Sequence, residues 1–212
     1  MQHLTKLFKL IELTRSQPQY GYALTGIPKH DLSDLAAHHY LVAFMAWQIA
    51  RELNRAGAKL NVEKVLEFSL THDLGELFGG DISMPYAAIN PRARRLAKAF
   101  EEENQRFFAR FFGEDRGHIK ALTKEILSAK SDEALVCKVA DYLECTHYKL
   151  YVGYLHDKRD IPLNVSKLAK MVAKIKDKVA KRELAKFLKE WAKELLNGDT
   201  LDVLWEKAKK KK

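Results

Sequence analysis

The stretch Leu70-Thr71-His72-Asp73-Leu74-Gly75-Glu76 decides how the rest of this 212-residue chain is interpreted. It continues the apolar run Val65–Leu70, a pattern typical of a helix packed in a core, so the His72-Asp73 pair is carried inward. A carboxylate beside an imidazole is costly to bury unless something pairs with both groups, and a divalent cation commonly does so. The pair alone is a weak indication, because adjacent His and Asp also occur by chance, as at His156-Asp157.

Two further polar residues, His38 and Asp141, lie in strongly apolar helical patterns elsewhere in the chain. With His72 and Asp73 they would supply two imidazole nitrogens and two carboxylates from three separate helices. Mixed nitrogen and oxygen donors suit Mn, Fe, Co, Ni or Mg better than a thiolate site would. The sequence therefore predicts one divalent metal site shared by three helices.

Each of these residues also has an ordinary interpretation. His38 taken alone could be a hydrogen-bonded core histidine, and Asp141 could pair with Lys138. His39 is an alternative first ligand, although a slip of one residue turns a side chain by about 100° around the helix, and we favour His38. The remaining histidines with polar neighbours are expected to be exposed: His30, His118, His147 and His156.

The ordered set of one His, one His-Asp pair and one Asp resembles the HD-domain metal-dependent phosphohydrolases, and most closely their 5'-deoxynucleotidase-like branch. Residues 71–85 are similar to that branch's HDxxE…GD(L/I)xxP pattern, which is quite specific. Residues 35–44 and 135–143 match the segments that carry the first His and the last Asp, the latter being similar to LvkxADxL. Residues 21–28 resemble, more weakly, an N-terminal segment that contains Gly-Trp.

This resemblance implies an all-α fold, a single-domain HD helical bundle over residues 1–212. The core would lie at about residues 19–160 and a C-terminal helical extension at about residues 163–212. Relatives are often dimers, so a homodimer is expected, with the apolar stripes of the C-terminal helices as its interface. The implied ligands of one divalent ion (Mn, Co, Ni, Fe or Mg) are His38, His72, Asp73 and Asp141.

The resemblance also implies a reaction, the hydrolysis of nucleoside 5'-monophosphates, in particular deoxyribonucleotides, by metal-activated water. Glu76 would handle a proton as general acid or base, and Asp81 would orient water or substrate. Two alternatives stay open: hydrolysis of another phosphomonoester or a nucleotide polyphosphate, and a catalytically weak metal-bound HD protein that binds a nucleotide or a partner.

The N-terminal match departs from the family where relatives read the substrate phosphate. The stretch Gln19-Tyr20-Gly21-Tyr22 has no arginine and has tyrosine in place of tryptophan, and Ala37 replaces a common acidic residue. Substrate specificity is therefore less certain than hydrolysis itself. The candidates for substrate binding are Tyr22, Arg92 and Arg95, and Arg94 between the two arginines could also supply a phosphate contact.

Composition limits the partners and the location. The net charge of +9 is concentrated toward the C-terminus but is interleaved with glutamates, and no nucleic-acid motif accompanies it, so nucleic acid is not the expected partner. No apolar run is long enough to span a bilayer and no signal peptide is recognisable, so we expect a cytoplasmic protein. Cys137 and Cys145 would lie about 12 Å apart on one helix, too far for a disulfide.

Helical periodicity extends over nearly the whole chain, and no alternating strand pattern is found. Asp34 or Ser33, Asn61 and Ser131 are suitable N-caps. A polar connection is expected at 156–162 and an exposed loop at 85–91. The predicted helices are Leu4–Thr14, Asp34–Arg55, one from Asn61 through His72-Asp73, Arg92–Phe112, Asp115–Ala129, Ser131–Tyr154, Asn164–Leu196 and Leu201–Lys207.

Overall fold

The computed structural model describes residues 1–79 and 81–195. Within these ranges the chain is helical and contains no strand, only an isolated bridge between Pro18 and Asp34, which confirms the all-α prediction. The α-helices are α1 (Gln2–Ile11), α2 (Leu35–Arg55), α3 (Val62–Thr71), α4 (Met84–Ile89), α5 (Pro91–Phe108), α6 (Arg116–Ser128), α7 (Asp132–Tyr151), α8 (Asp157–Ala173) and α9 (Lys178–Glu194). Short 3-10 helices are Glu12–Arg15, Tyr20–Tyr22, Lys29–Asp31, Leu74–Phe78 and Ala109–Asp115.

The predicted starts of α2, α3 and α7 are polar residues whose side chains cap these helices. The side chain of Asp34 accepts a hydrogen bond from the backbone N–H three residues on, at 2.8 Å, and α2 begins there. Asn61 does the same at 3.1 Å for α3, and Ser131 at 3.2 Å for α7. Such bonds satisfy N–H groups that have no partner inside the helix. The predicted starts of these three helices are confirmed.

The hydrophobic core lies where α2, α3 and α7 pack against one another. Val42 of α2, Phe68 of α3 and Val136 of α7 are fully buried there. Leu168 of α8 and Leu184 of α9 are buried in the same core, so the C-terminal helices enclose it from the other side. The three helices that carry the predicted metal ligands are therefore fixed relative to one another by close packing.

The C-terminal region differs from the single helix predicted over Asn164–Leu196. It forms two helices, α8 and α9, and α8 already begins within the segment 156–162 that was expected to be a polar connection, with Pro162 inside the helix. Asp177 separates the helices, because its backbone is extended and its carboxylate accepts the N–H groups two and three residues on, each at 2.9 Å. Apolar residues continue across the break with helical spacing, which concealed it in the sequence.

Two other predicted boundaries also differ. The helix expected to reach Phe112 ends at Phe108, and the 3-10 helix that follows contains Gly113 with φ +59°, a conformation that glycine adopts without strain. The segment 85–91, expected to be an exposed loop, forms most of the short helix α4. The predicted helix Leu201–Lys207 lies outside the described residues.

His147 was predicted to be exposed, and this prediction is wrong. It is half-buried on α7, and its Nε2 accepts a hydrogen bond from the indole N–H of Trp191 at 3.0 Å, because α9 brings that tryptophan across α7. The other three histidines expected at the surface are exposed: His30, His118 and His156.

Two negative predictions can be compared with the structure. The cysteines Cys137 and Cys145 are both free thiols, as their separation on α7 predicts. In the ranges that the structure describes, no helix combines the length and the apolar character needed to cross a bilayer.

Asp177→Ala is expected to lower the free energy of unfolding by about 1 kcal/mol, the usual cost of losing a helix N-cap. Its carboxylate also accepts the N–H of Lys59 at 3.1 Å, so it joins α9 to the α2–α3 connection. Thermal unfolding beside Lys189→Ala, an exposed position on α9, measures the loss. Equal melting temperatures for the two variants would contradict the capping role.

The pH dependence of this cap has a defined sign. The N–H of Ala180, foremost among the backbone donors, lowers the pKa of Asp177. Its stabilising contribution is therefore complete above the ordinary aspartate pKa of about 3.9 and is lost as the pH falls through the lowered value.

Candidate metal centre

Three helices bring the four predicted metal ligands to one point. His38 lies on α2, Asp141 lies on α7, and His72 and Asp73 directly follow the last residue of α3. One donor atom from each of the four residues lies within 4.8 Å of all the others. His38 Nε2 is 3.2 Å from His72 Nε2 and 3.5 Å from Asp141 Oδ1, and His72 Nε2 is 3.3 Å from Asp73 Oδ2. The cluster could hold a metal ion.

The chain changes direction immediately after the His-Asp pair. The α-helix ends at Thr71, Asp73 has φ −112° and ψ 17°, and the 3-10 helix Leu74–Phe78 follows. The helix predicted from Asn61 through His72-Asp73 therefore ends before the pair, and no continuous α-helix reaches Glu76. Glu76 instead projects from the 3-10 helix, which keeps it beside the cluster.

Helix α5 packs tightly against this turn. A Cβ atom at Gly75 would lie 2.8 Å from the backbone oxygen of Glu101, so only glycine permits this close approach. The side-chain amide of Gln105 donates to the carbonyl oxygen of His72 at 2.7 Å, and that of Asn104 donates to the carbonyl oxygen of Gly75 at 2.9 Å. These contacts fix the backbone that carries two of the four donors.

Hydrogen bonds fix the ring nitrogens that point away from the cluster. Glu144 Oε2 lies 2.7 Å from His38 Nδ1, and the carbonyl oxygen of Ser69 lies 3.0 Å from His72 Nδ1. With protons at both Nδ1 atoms, the Nε2 lone pairs face each other at 3.2 Å between two carboxylates. This arrangement is repulsive unless a cation lies among the four groups, so the donor set fits a divalent metal ion.

A proton can take the place of that cation in metal-free protein. Burial alone would lower the pKa of His38, but Asp73 and Glu144 outweigh burial and raise it to about 10. Burial alone would raise the pKa of Asp73. The neighbouring histidines, of which His72 contributes most, outweigh burial and hold this pKa well below the usual range. Metal binding must displace the His38 proton, so metal affinity should fall as the pH is lowered.

Glu144 is a site residue that the sequence analysis missed. It is fully buried, with 1% of its surface exposed, and it also accepts a hydrogen bond from the hydroxyl of Tyr22 at 3.4 Å. Its position three residues after Asp141 on α7, within an apolar face, was the available signal. Tyr22, a weak candidate for substrate binding, is buried behind the metal ligands and holds Glu144.

Glu144→Gln is expected to weaken metal binding about 10- to 100-fold, because it removes the charge that orients and polarises a ligating histidine. Calorimetric titration of metal-stripped protein with Mn²⁺ or Co²⁺ measures the change. Glu63→Gln, an exposed site on α3, serves as the matched control. Unchanged affinity in Glu144→Gln would show that Glu144 is only a packing residue.

His39, the alternative first ligand, is outside the four-residue cluster. Its ring is buried, with its centroid 5.0 Å from that of His72, and its Nε2 has no hydrogen-bond partner among the described residues. Burial and the neighbouring His72 lower the pKa of His39 to about 3, so this ring is neutral. The register of α2 therefore brings His38, and not His39, into the four-residue cluster.

Glu76 and Asp81 flank the cluster on the side that opens to solvent. Burial, followed by the charge of Asp73, raises the pKa of Glu76 well above its usual range and that of Asp81 to about 7. Asp81 also touches the N-terminal segment, since a Cβ at Gly21 would lie 2.9 Å from Asp81 Oδ2. The Asp73 and Asp141 side chains are 21% and 22% exposed, so the cluster is accessible from this side.

A cleft of about 270 Å³ adjoins Glu76 and Asp81. Neither Arg92 nor Arg95, the sequence candidates for substrate binding, lines this cleft. Arg94, between them, does line it. The other lining residues are Ile82, Ala87, Ala97, Lys98, Glu101, Leu127 and Lys138, of which the sequence analysis had assigned none to substrate.

Solved structures from other organisms share this arrangement of helices. An HD-domain phosphohydrolase from Listeria innocua superimposes with a TM-score of 0.68 over 99% of this chain and 99% of its own, at 20% identity. A conserved hypothetical protein from Pyrococcus furiosus gives a TM-score of 0.63 over 88% of this chain and 99% of its own, at 22% identity. These likenesses establish the fold.

Curated relatives are similar over a shorter part of the chain. 5'-Deoxynucleotidases from Yersinia pestis (strain Pestoides F) and Yersinia pseudotuberculosis (serotype O:3, strain YPIII) are each 29% identical over 118 residues. The match covers 53% of this chain and 59% of each relative, so this chain spans less than two thirds of their length.

Fold and site together define an all-α protein with a buried His and Asp cluster that could hold a metal ion. The family profile described as HD domain matches residues 15–183, well over half of the chain. The chain belongs to the HD domain family, which confirms the resemblance found in its sequence.

Proposed function

We propose that the protein is a metal-dependent phosphohydrolase that releases phosphate from a phosphomonoester. The observation that carries this proposal is the juxtaposition of four converging metal donors with two carboxyl groups of raised pKa. His38, His72, Asp73 and Asp141 would hold the ion. A divalent cation bound there would supply charge that polarises water and neutralises a phosphoryl group.

The chain's own carboxyl groups supply proton transfer. In the proposed reaction a water oxygen bonds to phosphorus and the bond from phosphorus to the ester oxygen breaks. The water keeps one proton as a hydroxyl of the released phosphate and its other proton restores the general acid, while the ester oxygen takes up a proton from that acid. Glu76, whose pKa is raised by burial and by the charge of Asp73, would donate this proton. Asp81 lies on the same side of the cluster and would orient the water or the substrate.

Nucleoside 5'-monophosphates, the deoxy forms in particular, are the substrate class we propose to test first. The support is the similarity to 5'-deoxynucleotidases over 118 residues. Hydrolysis of another phosphomonoester or of a nucleotide polyphosphate is the second candidate, because the N-terminal segment places buried Tyr22, rather than a cation, near the site.

The test is phosphate release from nucleoside mono-, di- and triphosphates by metal-stripped protein supplied with Mg²⁺, Mn²⁺, Co²⁺ or Ni²⁺. Metal-dependent release of phosphate from monophosphates is the expected result. Tight metal binding without turnover of any phosphoester would reject the enzymatic proposal. It would favour a metal-bound protein that binds a nucleotide or a partner.

A homodimer in the cytoplasm is the assembly and location that we propose. An apolar groove of about 530 Å³ between α2 and α9, in which Phe44 is 51% and Phe187 is 40% exposed, supports self-association. Analytical ultracentrifugation should give twice the chain mass, and Phe44→Glu should give the monomer. A monomeric wild-type protein would reject the dimer.

A further inference from the structure

The cleft beside the metal centre is lined by three acids, Glu76, Asp81 and Glu101, and by three cations. Glu76 and Asp81 lie on the wall next to the cluster. Arg94 and Lys98 of α5 and Lys138 of α7 form the other, which we call the cationic wall. The family resemblance assigned none of the three cations a role, and two helices contribute them to one cavity.

The cations are spaced at increasing distance from the metal centre. The backbone of Glu101 contacts Gly75, so this part of α5 lies beside the His-Asp turn. At ~1.5 Å per residue, Lys98 lies about 4.5 Å and Arg94 about 10 Å farther along the axis of α5. The spacings of four and three residues place Arg94, Lys98 and Glu101 on one face of that helix.

Glu101, the acid that faces the same cleft, interacts electrostatically with Lys138 and Lys98 but forms no salt bridge with them. Within residues 1–79 and 81–195, no carboxylate lies within 4.0 Å of the side-chain nitrogens of the three cations of the cationic wall. Among the exposed arginines, Arg15, Arg55 and Arg106 each pair with a glutamate three residues earlier. Arg94 and Lys98 are instead like charges four residues apart, a pairing that destabilises a helix. An anionic ligand would make this placement favourable.

We propose that the cationic wall binds a second phosphate group, so that the preferred substrate carries one phosphate at the metal centre and another one to two helical turns away. This inference rests on the proposed phosphohydrolase function. A bound cation and Lys138, three residues from Asp141, suffice for the reacting phosphate, which leaves Arg94 and Lys98 for the second. The planar guanidinium of Arg94 can bind phosphate oxygens in pairs.

The size of the cleft limits the ligand to a small molecule. Its volume of about 270 Å³ lies at the lower end for small-molecule sites. A nucleotide with two phosphate groups, whether both at one position or at the 3' and 5' positions of the sugar, satisfies both the size and the charge.

The experiment compares adenosine 5'-monophosphate with adenosine 3',5'-bisphosphate and adenosine 5'-diphosphate as substrates. At least one of the doubly phosphorylated compounds should have a kcat/KM about tenfold higher or more, the size expected for one additional charge-assisted hydrogen-bonding group. Arg94→Gln and Lys98→Gln should remove that advantage, mainly through KM. Arg116→Gln, at an exposed arginine of α6, is the matched control.

A binding measurement separates this inference from the proposed function. Calorimetry should show that inorganic pyrophosphate binds more tightly than orthophosphate, and that Arg94→Gln abolishes the difference. If this holds but no ester is hydrolysed, the phosphohydrolase proposal fails and the second phosphate site stands. If monophosphates are hydrolysed as well as the doubly phosphorylated compounds, and both variants behave as wild type, the inference is overturned.

Discussion

Asp73→Ala is expected to abolish tight metal binding and to lower phosphate release about 1000-fold or more, because several kcal/mol of charge stabilisation at the phosphoryl group depend on the ion. Asp73 contributes more than its own donor atom, since its carboxylate lies 3.5 Å from His38 Nε2 and 3.3 Å from His72 Nε2. Its loss also leaves Asp141 as the one carboxylate of the cluster beside the two facing ring nitrogens. Calorimetric metal titration and phosphate release together measure the effect.

The control for this variant is Asp115→Asn, at an exposed position before α6 whose side chain caps no helix. It should keep wild-type metal affinity and turnover. Circular dichroism and the melting temperature of the metal-free proteins exclude unfolding as the cause of a loss. Full activity in a folded Asp73→Ala protein would remove the metal centre from the mechanism.

Glu76→Gln is expected to lower kcat about 10²- to 10⁴-fold, the usual contribution of a positioned general acid or base, and to leave metal affinity unchanged. Burial and Asp73 raise the pKa of Glu76, so the wild-type enzyme should lose activity as the pH rises through that value and the acid loses its proton. The variant has no proton to lose at this position. The alkaline decline of its residual activity should therefore disappear.

Glu114→Gln, at an exposed position far along the chain from the cluster, is the matched control and should keep the wild-type pH profile. Metal affinity separates the two roles that Glu76 could have. A variant that loses metal together with activity would identify Glu76 as a ligand, and one that keeps wild-type kcat would show that the proton comes from elsewhere, with Asp81 the next group to replace.

The four residues that could hold a metal were recognisable in the sequence, because each stands out against an apolar helical pattern. His38 and Asp141 are polar residues on helices whose neighbours are buried, and His72-Asp73 follows a buried run. Helix N-caps such as Asn61 were likewise predictable from the sequence. The hydrogen bond to a cap comes from the backbone N–H only three residues later, so it depends on local sequence alone. Local signals thus located the helices that the cluster requires.

Features that depend on tertiary contacts were not predictable from one sequence. Glu144 could be recognised only once α2 and α7 were packed, because its partner His38 is 106 residues away. The 3-10 helix that carries Glu76 is held in place by α5. The rotation of α5 about its axis decides that Arg94 lines the cleft and that Arg92 and Arg95 do not. The break at Asp177 was hidden for a different reason, since apolar periodicity crosses it.

The most direct measurement is a titration of metal-stripped protein with Mn²⁺ or Co²⁺, in which bound metal and phosphate release from a nucleoside monophosphate are followed together. Because His38, His72, Asp73 and Asp141 surround one point, turnover should rise in proportion to bound metal and reach its maximum at one ion per chain. Turnover that persists after complete removal of metal, or binding of an ion that Asp73→Ala and His38→Ala do not weaken, would contradict the account.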